Sequence, residues 1–232
     1  MRTPQWLGGL TLALMTLQAQ AGRPLSVEDA GVNPVGQCQL ESWAERGTAS
    51  GSDTLWVLAP ACGVLEGLEL GVEFGVPGHR RMGDAHRSLA LKWVPEAAQW
   101  GDWHFGAKLS AGSERVASEA RWSDTPISLL GIGTWQASEE IALHVNLGVD
   151  HRRTPADTTG HAGLALAWQP HTRWLVFAEL TGEEKTTPVR GAGLRHWLIP
   201  EVLGLDFTVS RSNAVRDSTQ FTVGLGWYGI KF

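Results

Sequence analysis

The sequence predicts an all-β fold, a twelve-stranded antiparallel transmembrane β-barrel. Three observations carry that expectation. From residue 37 onward, apolar and polar residues alternate through twelve segments, the two-residue period of a strand with one apolar face. The connections between segments alternate in length, short and then long and polar, as in a barrel with turns at one end and loops at the other. The chain also opens on a segment built for export.

That opening segment is residues 1–21. Arg2 precedes an apolar run from Leu7 to Leu17, and Ala19-Gln20-Ala21 follows. A basic start, a short apolar core and an A-x-A end describe a secretory signal peptide. The run is too short for a bilayer, which takes about 20 residues. Residues 22–36 read as a periplasmic leader without strand character. Ser26 to Asp29 could instead cap one helical turn. The barrel is expected over residues 37–232.

Its segments run 37–46, 54–64, 67–77, 87–95, 102–112, 121–136, 140–151, 161–169, 173–182, 188–199, 202–212 and 218–232. Short connections follow the even segments: Glu66-Gly67, Pro95 to Gly101, Ala137 to Glu139, Gln169 to Thr172 and Ile199 to Glu201. Long polar ones follow the odd segments: Gly47 to Asp53, Gly78 to His86, Ser113 to Ala120, Arg152 to Gly160, Glu183 to Thr187 and Asn213 to Asp217. An even strand number sets both termini on one side.

One face of the segments is apolar, as in Leu68, Leu70, Val72, Phe74 and Val76 or Ile141, Leu143, Val145, Leu147 and Val149. The other carries Glu69, Glu73, Lys92, His104, Lys108, His144, Asn146, Asp150, Glu179, Arg195 and Asp206. Periodicity alone does not say which face lies inside, and a soluble sandwich with a buried last strand is the alternative. Charges facing lipid cost about 2–4 kcal/mol each at mid-membrane for Lys or Arg. A membrane barrel must therefore turn the polar set into its lumen. Inward small residues such as Gly71, Gly75, Ala90, Gly106, Gly148, Gly163, Gly193 and Gly204 leave room there. Reflection of the strands across their connections sets Glu73 opposite Lys92, Lys92 opposite His104, and Arg195 opposite Asp206.

The tryptophans favour the membrane reading. Trp93, Trp100, Trp103, Trp135, Trp168, Trp174, Trp197 and Trp227 fall near the short turns, and Trp43, Trp56 and Trp122 nearer the long loops. Indoles favour the headgroup boundary. The chain ends on Phe232, with Ile230 and Tyr228 before it, after the alternating row Phe221, Val223, Leu225 and Trp227. This aromatic terminus resembles the assembly signal of Gram-negative outer-membrane β-barrels. The resemblance implies a bacterial outer-membrane location, the barrel-assembly machinery as a partner, and surrounding lipids including lipopolysaccharide. The apolar parity breaks between Trp227 and Tyr228, which predicts a bulge there or turned-out last residues. Arg23-Pro24-Leu25, then Asp29-Ala30, before the strand opening at Gln37, resembles the leader of outer-membrane proteins of the phenol meta-cleavage pathway family. That match covers about 20 residues and implies passage of a small hydrophobic or aromatic molecule.

Cys38 and Cys62 are the two cysteines. A hairpin closing near Ser50 sets them opposite each other on one face, and export brings them to an oxidising compartment. A disulfide between them is expected. Without Arg2 the chain carries 18 basic and 24 acidic residues, roughly −6 in charge, and no basic patch, so nucleic acid is not an expected partner.

Little in the sequence suggests catalysis, a cofactor or a metal. His144 and Asn146 share the inward face with Ser128 or Thr134 across a turn, a set from which acyl transfer could be built. His144 lies at the short-turn end and fits lumen hydrogen bonding better. His79, His86, His151, His161 and His171 show no metal-ligand spacing. Arg80-Arg81, Arg87, Arg152-Arg153 and Arg190 lie at the long loops, where they suit either lipopolysaccharide phosphates or solvent. The expected function is passive passage or uptake of a small solute through a narrow polar lumen. The leader, folded into its mouth, would bring Asp29 towards Lys92 or Lys108. A non-conducting structural or adhesion barrel is the rival reading, and an outer-membrane hydrolase a more distant one.

Deleting Phe232 is expected to impair assembly while leaving export intact. Fractionation with a folding-sensitive gel reads this, and normal assembly of the truncated chain would remove the terminal residue from the signal.

Overall fold

The computed structural model describes residues 24–49, 52–78, 85–115, 121–212 and 218–232. The signal-peptide segment, Arg23, His79 and Arg80-Arg81 lie outside the described residues. Twelve strands form the wall: β1 (Gln37–Gly47), β2 (Thr54–Leu65), β3 (Leu68–Pro77), β4 (Ala85–Trp93), β5 (Trp103–Arg115) and β6 (Ile127–Gln136). They continue as β7 (Ile141–Arg153), β8 (Ala156–His171), β9 (Trp174–Glu183), β10 (Val189–Ile199), β11 (Leu203–Ser212) and β12 (Ser218–Lys231). Each pairs antiparallel with the next, and β1 pairs with β12. The sheet is therefore closed on itself, which removes the free strand edges of an open sheet.

The alternation in sequence becomes an inside-out protein. Leu70, Phe74, Val76, Leu147, Val149, Val176, Leu180, Leu205 and Phe207 point outward and are exposed, Leu147 to 66%. The buried set is rich in polar groups, Glu69, Lys92, His144, Asn146, Glu179, Arg195 and Asp206 among them, beside apolar residues such as Ile132 and Phe177. Hydrophobic exposure on this scale has its physical reason in a lipid surround.

Two tryptophans depart from the expected girdles. Trp197 and Trp43 are buried and face inward. Both share strand parity with inward charges, Arg195 and Glu41, and parity outranks distance from a turn. Trp56 and Trp122 remain exposed near the long loops, and Trp93, Trp100, Trp135, Trp168, Trp174 and Trp227 are exposed near the short turns. Trp103 stacks between Phe105 and Trp135, with ring centroids 5.8 and 6.2 Å away.

One connection differs in kind from the expectation. The long loop expected over 152–160 is a two-residue turn, Thr154-Pro155, because Arg153 pairs with Ala156 and Arg152 with Asp157. Polar composition does not end a strand whose backbone partners stay in register. The β4–β5 connection holds a short extra ladder, Gln99-Trp100 against Trp103-His104. Ser123-Asp124 similarly pairs with Ser113 and Glu114 before β6 begins at Ile127.

The bulge at the end of the chain is present. Cys38 pairs with Ile230 and Leu40 with Trp227, so β12 carries one residue more than β1 across that step. Gly229 takes φ +70° there, a conformation that glycine adopts at little cost. The parity is unbroken up to Tyr228, which follows Thr222, Gly224 and Gly226 on the inward row and is 1% exposed, while Phe232 is exposed.

Cys38 and Cys62 are directly opposite on β1 and β2 and form a disulfide. Unreduced protein should show no alkylatable thiol by mass spectrometry. Serine at both positions should lower stability by about 3 kcal/mol, the chain-entropy value for a loop of some 25 residues, measured as a shift in the denaturant midpoint.

Candidate functional site

The lumen is organised by two charge clusters and by the leader that joins the wall to one of them. Glu69 of β3, Lys92 of β4 and Lys108 of β5 lie side by side in register. Two adjacent lysines repel unless an acid stands between them. The leader supplies it. Glu28 lies 3.1 Å from Lys92 Nζ and also bonds Lys108, and Asp29 lies 3.4 Å from Lys92. The approach of Asp29 to Lys92 matches the expectation from sequence, whereas the larger part played by Glu28 was not expected.

Two of the expected strand registers are corrected. Lys92 faces Glu69 and Lys108, not Glu73 and His104. The β3–β4 hairpin closes two residues earlier than its loop composition suggests, and the extra ladder after β4 shifts the next register. Glu73 lies opposite Ser88, and its side chain contacts His86 at 2.8 Å. His104 lies between Gln99 and Thr134.

The second cluster centres on Arg195 of β10, which is 2% exposed. Its guanidinium donates to both oxygens of Asp206, opposite on β11, at 2.6 and 2.8 Å. Glu41 of β1 lies 3.8 Å away. Trp197 and Tyr228 stack against the guanidinium, with centroids at 4.8 and 4.9 Å, a favourable contact with the ring faces. The Tyr228 hydroxyl donates to Glu41 at 2.5 Å. The register of Arg195 against Asp206 was legible because the connection between β10 and β11 is short.

The leader is held by its backbone. Ser26 and Val27 N–H donate to Glu179 at 2.7 and 3.2 Å. Glu28 N–H donates to Asn146, whose amide donates back to Glu28 O at 2.9 Å. Ala30 N–H donates to Thr134 at 2.8 Å, and Asn33 N–H to Glu69 at 2.9 Å. The Thr208 hydroxyl donates to Pro24 O at 3.3 Å. A loop inside a barrel must satisfy its peptide groups, and inward carboxylates, amides and hydroxyls do that here.

Several inward glycines lie beneath neighbouring side chains and do not leave open space. A Cβ at Gly75 would stand 2.3 Å from the His86 ring, one at Gly148 2.3 Å from His161, and one at Gly204 3.0 Å from Arg195. Gly63 is the tightest case, since a Cβ would lie 2.1 Å from Asn33 O and 2.3 Å from Pro34 O.

A cavity of about 490 Å³ lies along β1–β5, beside the leader. Glu28, Glu41, Glu45, Glu69 and Glu73 line it, with Lys92, Lys108 and His86. Trp43 and Val57 give it an apolar strip.

His144 is buried and its Nδ1 lies 3.0 Å from Thr134 Oγ1. That hydroxyl also accepts from Ala30, so the pair helps hold the leader. Ser128 faces Asp150, and His161 lies 3.2 Å from Asp150. Among the described residues no group of three or more His, Cys, Asp or Glu converges as a metal site. Arg152 reaches Glu114 at 3.8 Å.

Burial alone would raise the Glu28 carboxyl, but Lys108 and Lys92 outweigh it and hold the pKa down at about 2, against an ordinary 4.5. A depressed carboxylate contributes stability above its unfolded pKa and loses it as pH falls through the folded one. The leader should therefore stay seated at neutral pH and loosen progressively below about pH 4.5. Hydrogen exchange of residues 24–36 against pH reads this directly. Glu28→Gln should open the same segment at neutral pH, since breaking a buried pair costs about 3–5 kcal/mol. Unchanged protection in that variant would show the ion pair to be dispensable.

Closed β-wall, apolar exterior and charged lumen together define a bacterial outer-membrane barrel of porin-like fold. Solved structures agree on the fold. The KdgM porin superposes with a TM-score of 0.65 at 9% identity, covering 82% of this chain and 98% of that one. The NanC porin gives 0.62 at 7% identity, covering 81% and 98%. The toluene transporter TodX of Pseudomonas putida gives 0.50 at 6% identity, covering 83% and 88%. No curated protein sequence matches the chain. Residues 10–227 match the family described as "Uncharacterised conserved protein UCP029691", and the chain belongs to it.

Proposed function

We propose that the protein is a passive, partly gated channel for a small neutral or cationic solute, in which residues 22–36 act as a periplasmic gate. The observation that carries this reading is the cavity beside the leader. Five carboxylates face two lysines and one histidine there, and Glu28 and Asp29 already occupy the lysines. Acidic side chains outnumber basic ones along this lining, which disfavours an anionic solute. KdgM has been solved with oligogalacturonate, a polyanion that such a wall does not suit. The Trp43 and Val57 strip suits an aromatic or apolar body, in keeping with the resemblance of the leader to the phenol meta-cleavage family. The eleven inward polar residues named from the sequence, Glu69 to Asp206, are on this reading the lining and latch of the passage. No catalytic role is assigned.

The leader's hydrogen bonds across the lumen also favour the rival reading, a barrel that does not conduct. Planar-bilayer recording separates the two. Wild type should give small, cation-selective steps, with the reversal potential in a salt gradient displaced towards the cation. Deleting residues 24–35, or Lys92→Ala, should raise conductance, and Glu45→Gln with Glu73→Gln should weaken the selectivity. Silence in wild type and in both gate variants would favour the structural barrel.

A further inference from the structure

The outer wall carries a polar feature that the lumen does not explain. At the long-loop end, Arg87 of β4 lies opposite Ser113 of β5 and donates from Nε to its hydroxyl at 2.9 Å. Arg115, two residues further along the same outward row, lies opposite Ala85. The guanidinium carbons of Arg87 and Arg115 lie 4.8 and 5.6 Å from the ring centroid of one indole, Trp122. Arg115 Nε is buried and has no hydrogen-bond partner. Asp124, opposite Ser113, is a carboxylate of this face, and the described ion pairs include none between it and either arginine. Arg121 adds a further cation next to Trp122 in the chain.

Directly beneath this group the wall is apolar. Leu89 and Leu91 of β4 and Leu109 of β5 are exposed on the same outward rows. Two guanidinium groups braced on an aromatic plate, one step above a hydrocarbon surface, match an amphiphile with a phosphate head and acyl chains. Arginine forks suit phosphate oxygens in particular.

We propose that Arg87, Arg115 and Trp122 form a binding site for the phosphate of an outer-leaflet glycolipid, with its acyl chains lying along Leu89, Leu91 and Leu109. This rests on the long loops facing the cell exterior, but not on whether the lumen conducts. Trp122 holds the guanidinium planes in place, and Ser113 orients Arg87.

The test uses the full exported chain in detergent micelles, titrated with diphosphoryl lipid A and read by native mass spectrometry. Wild type should retain the lipid, and enzymatically dephosphorylated lipid A should bind about tenfold more weakly or worse, the scale of one charge-assisted hydrogen bond. Arg87→Gln with Arg115→Gln should lose a similar factor, while Arg173→Gln, at the short-turn end, should bind as wild type. A heat-dependent gel shift shows that each variant is folded. Equal retention of the two lipids, or an unaffected double variant, would overturn the site. Displacement of the lipid by millimolar inorganic phosphate would reassign it to the free ion and overturn the lipid assignment.

Discussion

Closure of β1 on β12 is the constraint on which everything else depends. In hydrocarbon no peptide group can reach water, so each must bond within the protein. A sheet meets that condition only when its first and last strands pair. Closure then fixes the direction of every side chain, because neighbours alternate between lipid and lumen. The outward row has to be apolar, and the charges of the wall collect in the narrow interior. A charge taken out of water needs a partner, and the arrangement of the lumen follows from that need. Arg195 finds its acid on the adjacent strand. Lys92 has Glu69 beside it on β3, and Lys92 and Lys108 share Glu28 of the leader.

The leader is therefore part of the electrostatic balance of the wall as well as an obstruction within it. It is held by hydrogen bonds to side chains on β3, β6, β7 and β9. Each is modest by itself. The two lysines provide an ion-pair anchor at Glu28, and Glu179 and Glu69 each accept two bonds from the leader. Such a segment can be seated firmly and still be released by a change at one point, which suits a gate better than a permanent core.

Much of this was legible in the sequence, for reasons that differ from part to part. The two-residue period separated inward from outward residues, because a membrane wall tolerates few exceptions to it. The cystine and the Arg195–Asp206 pair followed from reflection across connections whose centres were clear. Glu73 and Lys92 were misaligned because composition does not locate the centre of a long loop. The ladder of Trp100 and Trp103 inside a connection was invisible to counting. Trp43 and Trp197 were assigned by their distance from a turn when their parity already turned them inward. Glu28 was missed because no local pattern says which wall residues an irregular segment will meet.

The point where the leader joins the barrel also determines how it behaves once released. Gly36 N–H bonds Gly63 O, and Val35 runs alongside Gly63, next to the Cys38–Cys62 bridge. On the proposed gating the far end of the leader leaves its partners while this end stays fixed to a cross-linked hairpin. On that gating, a short tether of this kind gives the far end of the leader an effective concentration on the order of millimolar at its own binding site. Re-closure is then a unimolecular event, and a dilute solute competes with the leader only during brief openings. Flux through such a barrel would be set by the time the leader spends away from Lys92 and Lys108 as much as by the width left when it has gone.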